Sequence, residues 1–158
     1  MKKIVYFSLI LFFTITSFAQ EIRTENNGNL VLEDVPAISQ SIKDDLKRYQ
    51  NVRSASFRGF HNENEGLYIS TRFGNVQLHY VQSPGAARNQ VTYFQEPIGS
   101  VAMHPTDQSI IFTMDKGGTE NAQIYLLDTA NASAKLLSDG KSRNGGPLWS
   151  TDGEQIAF

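Results

Sequence analysis

Three histidines, one Gly-Ser pair and a few acidic turns are where this sequence invites a search for chemistry. A serine nucleophile on a sharp strand-to-helix turn would read Gly-x-Ser-x-Gly. Gly99-Ser100 comes nearest, but Ile98 and Ala102 stand where the outer glycines belong. His61 and His104 each follow a large apolar residue and open a polar turn. Such a recurring position implies a structural role, hydrogen bonding within the turn, rather than general-base catalysis. His79 falls in a predicted strand and reads as an exposed or half-buried strand residue. Asp115 and Glu120 flank Gly117-Gly118 and could ligate Ca²⁺, but a solvated hairpin loop is the simpler reading, because metal sites need convergent ligands. Gly140-Lys141-Ser142 lacks the upstream glycine of a phosphate-binding loop and reads as a turn. Asn131-Ala132-Ser133 is a glycosylation sequon, which matters only in a host that glycosylates. The sequence therefore predicts no catalytic, cofactor-binding or metal-binding residue.

The elements that position these residues are mostly short strands. From Arg53 onward, β-branched and aromatic runs alternate with Gly, Asn, Asp and Pro clusters, the punctuation of strands joined by tight turns. Strands are expected at 54–60, 66–72, 77–81, 89–93, 101–103, 110–114, 123–128, 134–137, 147–150 and 155–158. One helix precedes them. Ile38, Ile42, Leu46 and Tyr49 lie on one helical face. Ser39 or Ser41 can cap its start, Asp44 and Asp45 come early, Lys47 and Arg48 come late, and Asn51 can end it. It reads as a packing element, with a partner-binding amphipathic helix as the alternative. Residues 21–29 are polar and read as a flexible lead-in, and 30–32 as one extended segment. Pro36 keeps any helix from crossing Val35.

The strands repeat. Ala102-Met103-His104-Pro105-Thr106-Asp107-Gln108-Ser109-Ile110-Ile111-Phe112 aligns with Leu148-Trp149-Ser150-Thr151-Asp152-Gly153-Glu154-Gln155-Ile156-Ala157-Phe158, so 46 residues separate Met103 from Trp149. A weaker copy begins at Phe60, which lies 43 residues before Met103. Gln77-Leu78-His79-Tyr80-Val81 aligns with Gln123-Ile124-Tyr125-Leu126-Leu127 at a spacing of 46. Units of ~40–50 residues with about four strands each are the mark of β-propeller blades. A small twisted sheet has two apolar faces and must stack on neighbours to bury both. The expected fold class is therefore all-β, an incomplete β-propeller of about two and a half four-stranded blades, near 54–93, 99–138 and 146–158. The chance alternative is a β-sandwich. Phe60, Met103 and Trp149 are the expected anchors between blades, and Asp152-Gly153 the tight turn. The third unit stops at Phe158, inside its second strand, so the sequence reads as a piece of a longer chain with an open apolar edge.

The first 19 residues carry an address. Lys2 and Lys3 precede an apolar run from Ile4 to Ile15, and Ser17-Phe18-Ala19 offers a small-x-small cleavage site. This pattern describes a secretory signal peptide. A membrane anchor, the alternative, needs ~20 apolar residues. The expected organisation is a signal peptide at 1–19, a lead-in with a helix at 20–52, and the partial propeller at 53–158. Cleavage takes the formal charge from −2 to −4, which points to neither nucleic acid nor an anionic membrane as a partner. With no Cys there is neither a disulfide nor a lipid-bearing Cys after the signal.

The block at 148–158 resembles the propeller repeat of TolB-like proteins, with Thr151 where that repeat usually has Pro. Tyr49-Gln50-Asn51-Val52-Arg53-Ser54-Ala55 and Ser70-Thr71-Arg72-Phe73-Gly74 resemble the start of bacterial prolyl oligopeptidase family enzymes. So does Asp115-Lys116-Gly117-Gly118-Thr119-Glu120-Asn121-Ala122-Gln123-Ile124-Tyr125. The resemblance covers roughly residues 28–158. It implies an exported chain, periplasmic or secreted, from a Gram-negative-type bacterium. It further implies a propeller that screens peptide substrate on its way to a C-terminal serine hydrolase domain not contained in these residues. The alternative is a non-catalytic TolB-like periplasmic binding propeller. Relatives that release dipeptides can use propeller carboxylates to anchor a free amino terminus; Glu120 is not carried over to that role.

Overall fold

The computed structural model describes residues 22–50, 52–61 and 65–158. The segment read as a signal peptide lies outside the described residues. Among the described residues, no helix is long and apolar enough to cross a membrane.

The chain is mostly antiparallel β-sheet with one short helix. A hairpin comes first, formed by β1 (Ile22–Glu25) and β2 (Leu30–Glu33), with Ile22 opposite Glu33. The polar lead-in expected from the sequence is thus one strand of a hairpin. Its turn is built from Asn26 and Asn27, both at positive φ, and Gly28; asparagine tolerates that region through local hydrogen bonding by its short side chain. Helix α1 (Gln40–Gln50) follows, with Ser39 Oγ accepting the Ile42 N–H at its start. Asp44 lies beyond the first turn, where it accepts hydrogen bonds from Lys47 Nζ at 3.0 Å and Gln40 Nε2 at 2.9 Å. No residue of α1 is buried, and Ile42 and Leu46 are exposed. The apolar stripe that the sequence reads as a packing face is therefore left exposed among the described residues.

Two four-stranded meanders carry the core. The first runs β3 (Ala55–Phe60), β4 (Leu67–Phe73), β5 (Asn75–Val81), β6 (Asn89–Gln90). The second runs β7 (Ile98–Met103), β8 (Ile110–Met114), β9 (Gln123–Asp128), β10 (Ser133–Leu136). A third pair, β11 (Leu148–Trp149) and β12 (Ile156–Ala157), continues the series. Alternation along each strand gives every sheet two faces. Tyr68 and Leu78 on one face of the first sheet join Ile98, Ile110, Phe112 and Leu127 of the second in a single buried cluster. The rings of Phe94, Phe112 and Tyr125 stack through it, with centroids 5.4 and 5.6 Å apart.

The repeat seen in the sequence is a repeat of register. Phe60 pairs with Leu67, Met103 with Ile110 and Trp149 with Ile156, the same offset three times. Each hairpin is closed by the same backbone bond, His61 N–H to Gly66 O, His104 N–H to Ser109 O and Ser150 N–H to Gln155 O, at 2.8–2.9 Å. The spacing changes from 43 to 46 inside the second sheet. In the first, Phe73 and Asn75 pair directly across Gly74. In the second, β8 and β9 are joined by the longer loop 115–122, which turns through positive φ at Gly117, Gly118 and Glu120. That loop meets the N-terminal hairpin, where Asn29 Nδ2 donates to Gly117 O at 2.8 Å.

Candidate functional site

The chemistry-bearing residues assemble into joints between sheets. His104 leaves the end of β7, and its Nδ1 accepts the N–H groups of Thr106 at 3.2 Å and Asp107 at 2.9 Å within its own turn. Nδ1 is therefore a lone pair and Nε2 carries the proton. Nε2–H donates to Gly153 O at 3.0 Å, in the third sheet. Asp107 Oδ1 also lies 3.1 Å from Nδ1. Two N–H groups already face that nitrogen, so the contact is not an ion pair while the ring is neutral. The Asp107 carboxylate is held below its usual range first by the Ser109 N–H.

His61 makes the equivalent link in the preceding unit. Its Nε2 meets Gln108 Oε1 at 2.7 Å, reaching from the first sheet into the turn of the second. Its ring packs against Tyr68 and Tyr80. Both histidines thus clasp a sheet to its successor, beyond the within-turn bonding expected of them.

The expected anchors divide. Met103 packs against Gly59, where a Cβ would overlap its side chain. Trp149 stacks edge-on against His104 at 4.7 Å, and its buried indole N–H has no partner among the described residues. Phe60 is 61% exposed and touches Phe57 edge-on at 5.0 Å. It also borders a small cavity with Met103 and His104 of the second unit. Asp152 Oδ1 accepts the Ser150 hydroxyl and, at 3.0 Å, the Glu154 N–H, which hold its carboxyl below the usual range. Gly153 has φ +77°, and a Cβ there would overlap the His104 imidazole. Gly153→Ala will cost about 1–2 kcal/mol of left-handed strain and will push His104 off its acceptor. Amide exchange at Ser150, whose N–H closes the hairpin, will quicken roughly five- to thirtyfold if strain of that size opens it locally. An unchanged rate would refute the clasp.

A second joint recurs at an offset of 46 residues. Gln77 Oε1 accepts Thr92 Oγ1 at 2.7 Å and the Phe94 N–H at 3.2 Å, while Nε2 donates to Phe94 O at 3.0 Å and Glu96 O at 3.2 Å. Gln123 Oε1 accepts Ser138 Oγ at 2.6 Å and the Gly140 N–H at 3.0 Å, while Nε2 donates to Ser142 O at 2.7 Å and Asn121 O at 2.9 Å. Thr92 and Ser138 in turn accept the N–H groups of Leu78 and Ile124. Each glutamine ties the end of its sheet to the segment leading into the next. β6 stops at Gln90, short of the predicted 93: the Val91 and Thr92 N–H groups both converge on Leu78 O, which breaks the regular ladder, and from Phe94 the backbone turns to the glutamine. The aligned Gln77 and Gln123, with Thr92 and Ser138 also 46 apart, carry this signal in the sequence, but spacing alone does not reveal the hub.

The remaining candidates resolve as local structure. Ser100 N–H donates to Thr113 Oγ1 in a bulged stretch of β7, away from all three histidines. Asp115 accepts Thr119 Oγ1 and the N–H groups of Lys116 and Glu120, which lower its pKa and occupy its oxygens within the loop. Among the described residues, no three of His, Asp and Glu converge as a metal site would require. The Gly140-Lys141-Ser142 turn folds around Asp139, which accepts both the Lys141 and Ser142 N–H groups. Asn131 Oδ1 accepts the Ser133 N–H in a similar turn.

His79 corrects the sequence reading: it is 1% exposed, neither open nor half-buried. Its place beside Ile69 and the Gln77 hub encloses it. Burial, with Arg88 adding to it, lowers its pKa below the ordinary 6.5. The folded state thus prefers the neutral ring, and between the lowered value and 6.5 the unfolded chain binds more protons. Stability from this group is complete above pH ~6.5 and is lost as pH falls through that window. Urea unfolding of His79→Leu against the parent at stepwise pH will show the parent losing more as pH falls below ~6.5; parallel curves would contradict it.

The class these observations define is an all-β protein of antiparallel meanders joined by repeated histidine clasps and glutamine hubs. No protein-family model matches the chain, and no curated protein matches it.

Proposed function

We propose that this chain is β-propeller from an exported serine peptidase of the prolyl oligopeptidase family, periplasmic or secreted, where it screens peptide access to a hydrolase domain. The observation that carries this reading is the double recurrence of hydrogen bonds. Clasps link each sheet to its successor, and hubs repeat at a 46-residue offset. Sheets joined to their successors by recurring joints suit blades set around an axis. The resemblance at 49–55, 70–74 and 115–125 narrows the propeller to the peptidase family. Nothing in the joints performs bond cleavage; Ser, Asp and His of a triad would come from elsewhere in the parent protein.

The test uses the native gene product. Coding sequence beyond Phe158 that holds Gly-x-Ser-x-Gly, followed by Asp and His, together with fluorophosphonate labelling of the native protein, is the expected result. A native product that neither carries the motif nor takes the label would overturn the peptidase reading and leave the TolB-like binding propeller.

A further inference from the structure

The N-terminal hairpin meets the second sheet through its turn. Asn26 to Asn29 sit against Gly117, in the loop between β8 and β9, and Asn29 Nδ2 reaches Asn26 O at 2.9 Å and Gly117 O at 2.8 Å. A Cβ at Gly117 would stand 2.8 Å from Asn27 Nδ2, 2.9 Å from Asn26 O and 3.0 Å from Asn29 Nδ2, so the turn could not seat against a side chain there. The receiving loop is held in shape. On its other side the Gly117 N–H donates to Glu96 Oε1 at 2.8 Å, in the segment that leads from the first sheet to the second. Asp115 accepts the Thr119 hydroxyl and the N–H groups of Lys116 and Glu120. The hairpin itself gains little from burial. No residue of β1, β2 or α1 is buried, and a lone two-stranded hairpin is only marginally stable in water. Its contact with Gly117 is therefore a latch on an otherwise weak element.

Two cavities flank the latch, of about 340 and 550 Å³. Asn27, Lys116 and Tyr125 line both, Glu96 lines the smaller, and Asn29 and Lys141 line the larger. The hairpin turn is thus one wall of a cleft whose other walls come from the second sheet and the loop 115–122. Tyr125 stacks on Phe112 within the cluster that the first two sheets share. The cleft therefore lies at the seam between two sheets that are already in place, and no further blade has to pack over it. Cavities of this size suit small molecules, and the hairpin stands at their entrance.

We propose that the N-terminal hairpin is a lid: latched at Gly117, its turn closes the cleft at the seam of the first two sheets, and release of the latch opens it. The proposal goes beyond the gating reading and requires no hydrolase domain.

Amide hydrogen exchange on the whole chain, with nitration of Tyr125 by tetranitromethane, tests it. Gly117→Ala drives a methyl group into the turn. Gly118→Ala is the control. Its φ of +70° is close to the +62° of Gly117, so the loop bears the same left-handed strain, but its Cβ would meet only Asn26 Nδ2, at an ordinary 3.8 Å. Gly117→Ala is expected to speed exchange of the β1 and β2 amides at least about tenfold, the size of one lost hydrogen bond. Tyr125 nitration will rise by a similar factor, and the amides of β4 and β5 will keep their protection. Gly118→Ala will leave both the hairpin and Tyr125 as they are in the parent. Asn29→Ala, which leaves the loop unaltered, will speed hairpin exchange about two- to tenfold and raise Tyr125 nitration with it; this result stands even if Gly117→Ala misfolds. A protected hairpin in folded Gly117→Ala, an equal loss in Gly118→Ala, no effect of Asn29→Ala, or a released hairpin with Tyr125 nitration unchanged would each overturn the lid.

Discussion

Gln123→Leu will lower the unfolding free energy by about 3 kcal/mol, measured by equilibrium unfolding in urea. The substitution nearly preserves volume but removes both ends of a buried hub. The Gly140 N–H and the Asn121 carbonyl lose their partner, the Ser142 carbonyl is left with Asn144 Nδ2 alone, and the Ser138 hydroxyl loses its acceptor. Each polar group left buried and unpaired costs about 1–3 kcal/mol, with the lower figure applying where water can reach it. Gln123→Glu is a sharper variant. It keeps an acceptor for Ser138 and Gly140 but turns a carboxylate oxygen toward two carbonyls. The folded state will then favour the protonated acid, whose pKa rises above the unfolded ~4.3. The deficit of this variant relative to the parent will be full above the raised pKa and will shrink as pH falls toward ~4.3. A Leu variant within about 0.5 kcal/mol of the parent, the range of ordinary surface substitutions, would show that the hub does not hold the sheets.

Phe112→Ala will cost about 3–5 kcal/mol, the range for removing a large aromatic from a packed core. Phe112 is 1% exposed and lies between the rings of Phe94 and Tyr125, in the cluster that unites the first two sheets. Phe112→Leu keeps most of the volume and will cost about 1.5 kcal/mol. Because the cluster is shared, the loss will be felt on both sides of the joint. Tyrosine emission, to which Tyr68 and Tyr80 contribute from the first sheet, and emission of the single Trp149 beyond the second will shift to lower urea together. A transition in which the Phe112→Ala tyrosine signal keeps its parent midpoint would mean that the sheets are stabilised separately.

Much of the strand pattern was legible because strands leave a local trace. Alternating apolar residues and Gly, Asn or Asp turns placed β4, β5, β8 and β9 to within two residues at each end. The Met103–Trp149 repeat was legible for the same reason: register repeats when turn length repeats. Three features escaped. The hairpin of β1 and β2 pairs the extended segment read at 30–32 with a mostly polar first strand, and it is held by that pairing and by the Asn29 contact to Gly117, 88 positions away. The apolar stripe of α1 has a helical period, but period alone cannot say what, if anything, covers it. His79 looks like any strand histidine until its neighbours close over it.

What the sequence by itself determined was the alphabet of the candidate joints: a histidine after the first strand of a unit, an Asp-Gly turn, a glutamine at the head of the third strand. Their types and their spacing of 43 and 46 are local properties, set by turn chemistry and strand alternation. Only the tertiary structure decided their use. His61 and His104 bond forward into the next sheet, because hydrogen bonds of 2.7–3.0 Å demand a partner placed by stacking and not by chain proximity. Asn29 and Gly117 touch for the same reason. Residues distant in sequence meet only after the sheets have formed and set their loops side by side.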